Sequence, residues 1–175
     1  MNGGREFALA AGLSRTSPGR VLPSADAAVL VREARRDRMI GILIVAHDSL
    51  PDALARTVAH VLGSRPPQFE TFPVRPTDDP LDLLPAARAQ VARLDTGDGV
   101  LVFTDLYGAS PSNLAKKLVQ PGRVEALAGV NLPMLVRAAT YRSKGLETMV
   151  RKAVSGGCEG VVHIVVDPTH AATRT

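Results

Sequence analysis

Between Met39 and Val166, short apolar runs alternate with stretches of helical spacing. Ile40–Ala46 is an unbroken apolar run of strand length, as expected for a strand buried on both faces. Leu50, Leu54, Val58, Val61 and Leu62 then recur at helical intervals, and Gly63 with Pro66-Pro67 beyond it stops that helix. Phe69–Val74 reads as a second strand. Asp79-Pro80 combines an N-cap with a first-turn proline and opens a helix to about Leu94. Asp95–Gly99 is a turn cluster, and Val100–Thr104 is a third buried strand. Ser110-Pro111 starts the next helix with the same cap-plus-proline chemistry. Val124–Val130 is a fourth strand, followed by helical patterns at about Pro133–Tyr141 and Gly145–Val154. Gly160–Val166 is a last β-branched run before a polar tail, residues 167–175. This alternation predicts an α/β fold, an open and mostly parallel sheet with helices on both faces.

Composition narrows the picture. The chain has 175 residues, of which 45% are apolar and 22% charged, the profile of a globular protein. No apolar run approaches the roughly eighteen residues of a membrane span, so no membrane insertion is expected. A single cysteine, Cys158, excludes an internal disulfide and a multi-thiolate metal site, and points to a reducing, cytoplasmic setting. Cys158 itself reads as a small packing or turn residue ahead of the last strand. The net charge is +4, but seven arginines against four acidic residues in 1–38 account for +3 of it. The remainder is nearly neutral and, with six aromatics in the whole chain, offers no basic stripe or stacking platform for nucleic acid. Residues 1–38 lack a long apolar signal core and are broken by Gly, Ser and Pro. They are expected to be a poorly ordered, dispensable extension, with Met39 an alternative start. The domain is expected to span 39–166.

In open parallel sheets, chemistry sits beyond the carboxyl ends of the strands, where strand order reverses. Ala46-His47-Asp48-Ser49 follows the first strand, and Asp105-Leu106-Tyr107-Gly108-Ala109-Ser110-Pro111 follows the third. In the flavodoxin-like order 2-1-3-4 those strands are neighbours, and His47 and Asp105 face each other across one crevice. A carboxylate on one ring N–H fixes the tautomer and raises the basicity of the other nitrogen, which suits a nucleophile, a base or a metal ligand. Ser110-Pro111 adds a helix start that attracts an anion. Together these suit a phosphorylated histidine, since phosphoryl transfer needs mainly positioning and charge stabilisation. The plain alternatives are a structural histidine, an aspartate capping its own turn and a serine serving as an N-cap. A Ser110–His47–Asp105 hydrolase is disfavoured because Gly108-Ala109-Ser110-Pro111-Ser112 is not a nucleophile elbow. His60, His163 and His170 lack metal-ligand spacing, and no nucleotide-binding glycine motif occurs, so neither metal nor cofactor is expected.

Three segments carry a family resemblance: Ile42–His47, Val100–Asn113, and Gly129-Val130-Asn131-Leu132-Pro133-Met134-Leu135. Their combination resembles the mannose/sorbose-type IIA component of the bacterial phosphoenolpyruvate:sugar phosphotransferase system, over about Met39 to Val166. The resemblance implies a phosphotransferase in which His47 accepts phosphate from the phosphocarrier protein HPr. It would pass the group to a IIB component or hold it as a regulatory signal. It also implies that the accepting nitrogen is Nε2, that Asp105 holds the ring and that Ser110 faces the phosphoryl oxygens. Members form homodimers that exchange a C-terminal edge strand, here Gly160–Val166. A phosphoenolpyruvate-dependent dihydroxyacetone kinase subunit is the nearest alternative, and a purely regulatory binding module is another. The chain departs from the family pattern at Asp48, where glycine is common, at Ala109 in place of a second glycine, and at Tyr107 in place of tryptophan. A carboxylate at Asp48 disfavours a bound dianion unless it points away or is paired.

Overall fold

The computed structural model describes residues 39–165. The elements run β1 (Gly41–His47), α1 (Leu50–Leu62), β2 (Phe69–Val74), α2 (Pro80–Leu94), β3 (Val100–Thr104), α3 (Ser110–Lys116), β4 (Val124–Ala128), α4 (Leu132–Tyr141) and α5 (Leu146–Glu159). The four strands form one sheet in the order β2-β1-β3-β4, and every neighbouring pair is parallel. This is the flavodoxin-like α/β arrangement anticipated from the sequence, with β1 and β3 side by side at its centre.

The unbroken apolar run of β1 follows from that position. Ile42, Ile44 and Ala46 enter one core with Leu101 and Phe103 of β3, Ala55 and Val58 of α1, Leu135 of α4 and Met149 of α5. Leu43 and Val45 alternate into a second core with Val100, Val102, Val91 of α2 and Leu114 of α3. Successive strand residues point to opposite faces, so a strand covered on both sides has no polar position available. Burial stabilises each such side chain by about 1.5–3 kcal/mol relative to exposure.

Caps set the helix directions. The Asp79 carboxylate accepts the Leu81 N–H at 2.8 Å at the start of α2, and the Asn131 side chain accepts the Met134 N–H at 3.0 Å at the start of α4. The amide of Asn131 also donates to the Gly157 carbonyl at 3.3 Å, tying α4 to α5. At the opposite end of the sheet from the carboxyl termini of the strands, Arg142 is only 5% exposed. Its guanidinium donates to the carbonyls of Ile40, Pro67 and Gln68. Burial pushes its pKa down to about 10.

The structure corrects the sequence reading at the carboxyl end. Gly160–Val166 is read from the sequence as an edge strand exchanged between subunits; within the single chain residues 161–165 pair with no strand, and Val161, Val162, Ile164 and Val165 are exposed. Helix α5 instead continues to Glu159, so Cys158 is an exposed helical residue rather than a packing or turn residue. The Gly156-Gly157 pair suggests a break, yet tertiary packing holds it helical. A Cβ on Gly156 would lie 2.9 Å from Arg137 Cβ and 3.0 Å from the Pro133 carbonyl oxygen, so glycine is what lets α5 approach α4. Likewise β4 ends at Ala128 rather than Val130. The expectations for residues 1–38, Val166 and the 167–175 tail lie outside the described residues.

Candidate functional site

The carboxyl ends of β1 and β3 bring His47 and Asp105 together. The register pairs Val45 of β1 with Thr104 of β3, so His47 and Asp105 both leave the sheet at adjacent strand ends. Asp105 Oδ2 lies 2.7 Å from His47 Nδ1 and accepts the backbone N–H of His47 at 3.0 Å. Its other oxygen, Oδ1, accepts the Leu106 N–H at 2.7 Å and faces the Thr104 hydroxyl at 3.4 Å. Asp105 thus hydrogen-bonds within its own turn and contacts the His47 ring at the same time. Burial raises the carboxyl pKa, but the hydrogen bonds from the His47 backbone, the His47 ring and the Leu106 backbone outweigh it. The net result lies below the ordinary value of 3.8.

An ionised carboxylate at Nδ1 requires the ring to donate from that nitrogen. Nε2 is then the lone-pair nitrogen, and no described residue hydrogen-bonds it. The His47 side chain is 39% exposed and Asp105 15%, so the ring is more open to solvent than the carboxylate that contacts it.

The loop from Leu106 to Ala109 is built by the residues that follow it. Gly108 has φ +90°, a left-handed conformation that glycine adopts without strain. Its N–H donates to the buried Ser112 hydroxyl at 3.0 Å, and its carbonyl accepts from Asn113 Nδ2 at 3.3 Å. Sequence reasoning quoted Ser112 and Asn113 within a motif without assigning them this role. Ser110 differs from the expected N-cap: Ala109 occupies the cap position and Ser110 is the first helical residue. Ser110 is exposed, on the loop that carries Asp105, and makes no hydrogen bond to His47 or Asp105. Leu106 and Tyr107 are 65% and 72% exposed, and Lys116 Nζ sits 4.4 Å from the centre of the Tyr107 ring. On the other side of His47, Asp48 has φ +46°, and its N–H donates to the Val74 carbonyl at 3.1 Å. Among the described residues no helix is long and apolar enough to cross a membrane.

The fold has counterparts among known proteins. Residues 41–154 match the EIIA-man family model, described as the PTS system fructose IIA component. The mannose-specific EIIAB component of Escherichia coli (strain K12) is 33% identical over 136 residues, covering 76% of this chain and 42% of that relative. The chain therefore spans less than half the length of the curated relative it matches. Among solved structures, phosphotransferase system component EIIA from Streptococcus agalactiae is 27% identical, with a TM-score of 0.64 over 71% of this chain and 97% of that one. The mannose/sorbose-specific IIA subunit from Enterococcus faecalis shares the fold, with 17% identity and a TM-score of 0.66 over 74% and 98% of the two chains. The chain belongs to the mannose-type IIA family of the phosphotransferase system.

Proposed function

We propose that this chain is a phosphohistidine carrier of a sugar phosphotransferase system, with His47 Nε2 as the phospho-acceptor. The observation that carries the proposal is the 2.7 Å contact between Asp105 and Nδ1, which leaves Nε2 as the lone-pair nitrogen of a part-exposed ring. The donor is the phosphocarrier protein HPr, and the acceptor is a IIB component or a regulatory target. As Nε2 attacks phosphorus, the P–N bond of the donor phosphohistidine breaks and the donor nitrogen recovers its electron pair. The His47 ring, keeping its Nδ1 proton, becomes a cation that the Asp105 carboxylate stabilises. Ser110, at the start of α3, supplies a hydroxyl on the phosphoryl side. The working domain is residues 39–166, acting in the cytoplasm, and residues 1–38 are dispensable to it. The protein works as a homodimer, for which the exposed residues 161–165, four of them β-branched, supply an unpaired segment.

Incubation with phosphoenolpyruvate, enzyme I and HPr should place one acid-labile, base-stable phosphoryl group on each chain. His47→Ala should abolish the label. Labelling that persists in His47→Ala overturns the assignment.

A further inference from the structure

Asp48 poses an electrostatic problem for a site that is to hold a phosphoryl dianion, and a cation, Arg75, stands at the adjoining strand end. His47 pairs with Val74 in the β1–β2 register, and the Asp48 N–H donates to the Val74 carbonyl at 3.1 Å. The residue that follows Val74 is Arg75, so Arg75 and Asp48 leave the sheet at adjoining strand ends. One strand spacing, about 4.8 Å, separates those ends, less than the length of an extended arginine side chain. A recess beside the site is lined by Asp48, Ser49, Asp52 and Arg75 among others.

The Arg75 backbone is fixed while its side chain is uncommitted. Its N–H donates to Asp78 Oδ2 at 2.8 Å, and its carbonyl accepts the Asp78 N–H at 3.1 Å. The guanidinium makes none of the ion pairs found among the described residues. Asp52 is already engaged by the Thr71 hydroxyl at 2.6 Å, and Asp105 by His47. Asp48 is the carboxylate of this group with no side-chain partner. The cation on the other flank, Lys116, is stacked on Tyr107. Arg75 is therefore the cation of the recess free to act, and its planar fork suits both a carboxylate and a phosphoryl group.

We propose that Arg75 is a phosphoryl-binding residue of the His47 site, neutralising Asp48 and taking an oxygen of the phosphoryl group on Nε2. This rests on His47 being the phospho-acceptor. Once the group arrives, the guanidinium bridges Asp48 and the dianion, so the carboxylate becomes an anchor for the arginine instead of a source of repulsion.

The test uses the full chain and two donors: phospho-HPr, and phosphoramidate, a small phosphoryl donor that needs no docking surface. Arg75→Ala should slow labelling by about fivefold to tenfold with either donor, the scale of one charge-assisted hydrogen bond at an open site. Arg75→Lys should retain part of the rate. Asp48→Asn in the Arg75→Ala background should restore it to within about threefold, since asparagine also tolerates positive φ. Added salt should narrow the gap between wild type and Arg75→Ala, while the thermal midpoint stays unchanged. Wild-type labelling rates in Arg75→Ala, or a loss seen with HPr alone, overturn the proposal and leave the His47 assignment standing. Labelling that survives His47→Ala removes the reading on which both depend.

Discussion

Replacing Asp105 tests whether one carboxylate serves fold and chemistry together. In Asp105→Ala, four donors lose their acceptor: the His47 N–H, the His47 ring, the Leu106 N–H and, over a long 3.4 Å contact that adds little, the Thr104 hydroxyl. The His47 N–H faces the shielded oxygen and should account for about 1.5 kcal/mol. Leu106 and the His47 ring are more exposed, and water replaces part of what they lose, leaving about 0.5–1 kcal/mol each. The expected cost is about 3 kcal/mol, or roughly a 10 °C fall in thermal midpoint for a domain of this size. Asp105→Asn keeps the shape but has a single acceptor oxygen. It can serve the His47 side or the Leu106 side, while its NH2 meets donors on the other, so about half the cost should remain. Thermal unfolding followed by circular dichroism measures both variants. A double-mutant cycle with His47→Ala should return a coupling of only about 0.5–1 kcal/mol, because the two backbone bonds survive loss of the ring. An Asp105→Ala midpoint within about 2 °C of wild type would refute the reasoning, as would an Asn variant that melts like wild type.

Two further outcomes follow from the same structure. The Asp105 carboxyl is held below its ordinary value of 3.8, so the native state binds fewer protons there than the unfolded chain. Its stabilisation is complete above that value and is lost as pH falls through the depressed native pKa. The midpoint difference between wild type and Asp105→Asn should therefore shrink below about pH 4 in a pH series of melts, and a gap that widens there contradicts the sign. Arg142→Met should cost about 2–3 kcal/mol by stranding the carbonyls that the guanidinium serves. It should still leave His47 labelling intact at a temperature where the variant is folded, because Arg142 sits at the far end of β1.

The sheet was legible because two-sided burial forces unbroken apolar runs, and Ile40–Ala46 and Val100–Thr104 carry that signature. Once those strands are neighbours, the residues just past them must meet, so the juxtaposition of His47 and Asp105 follows from sequence position. The bond from Asp105 to the His47 backbone N–H was not legible, since it depends on a turn conformation that many sequences share. Which ring nitrogen contacts Asp105 is not written in the sequence, because it depends on the ring's orientation at the strand end. Arg142 has no signature because a buried arginine is specified by the carbonyls around it, contributed by residues about 75 and 102 positions away. Val161, Val162, Ile164 and Val165 carry strand propensity, but a strand exists only with a partner edge, and within the single chain residues 161–165 pair with none.

A histidine ring on an open surface ordinarily turns about two side-chain torsions. Here the oxygen that fixes the ring also fixes the backbone N–H of the same residue, so ring and strand end move as one body. The direction from which Nε2 can be approached is set when the sheet forms, before any partner arrives. In the proposed phosphoryl transfer, the encounter aligns two proteins without also having to aim a nucleophile, which lowers the entropic cost of reaching a reactive geometry. Position 105 is for that reason a poor place to tune a rate, because any change moves frame and chemistry together. Variation in partner preference is better accommodated at exposed loop residues such as Tyr107, which can change while the aim of the ring stays fixed.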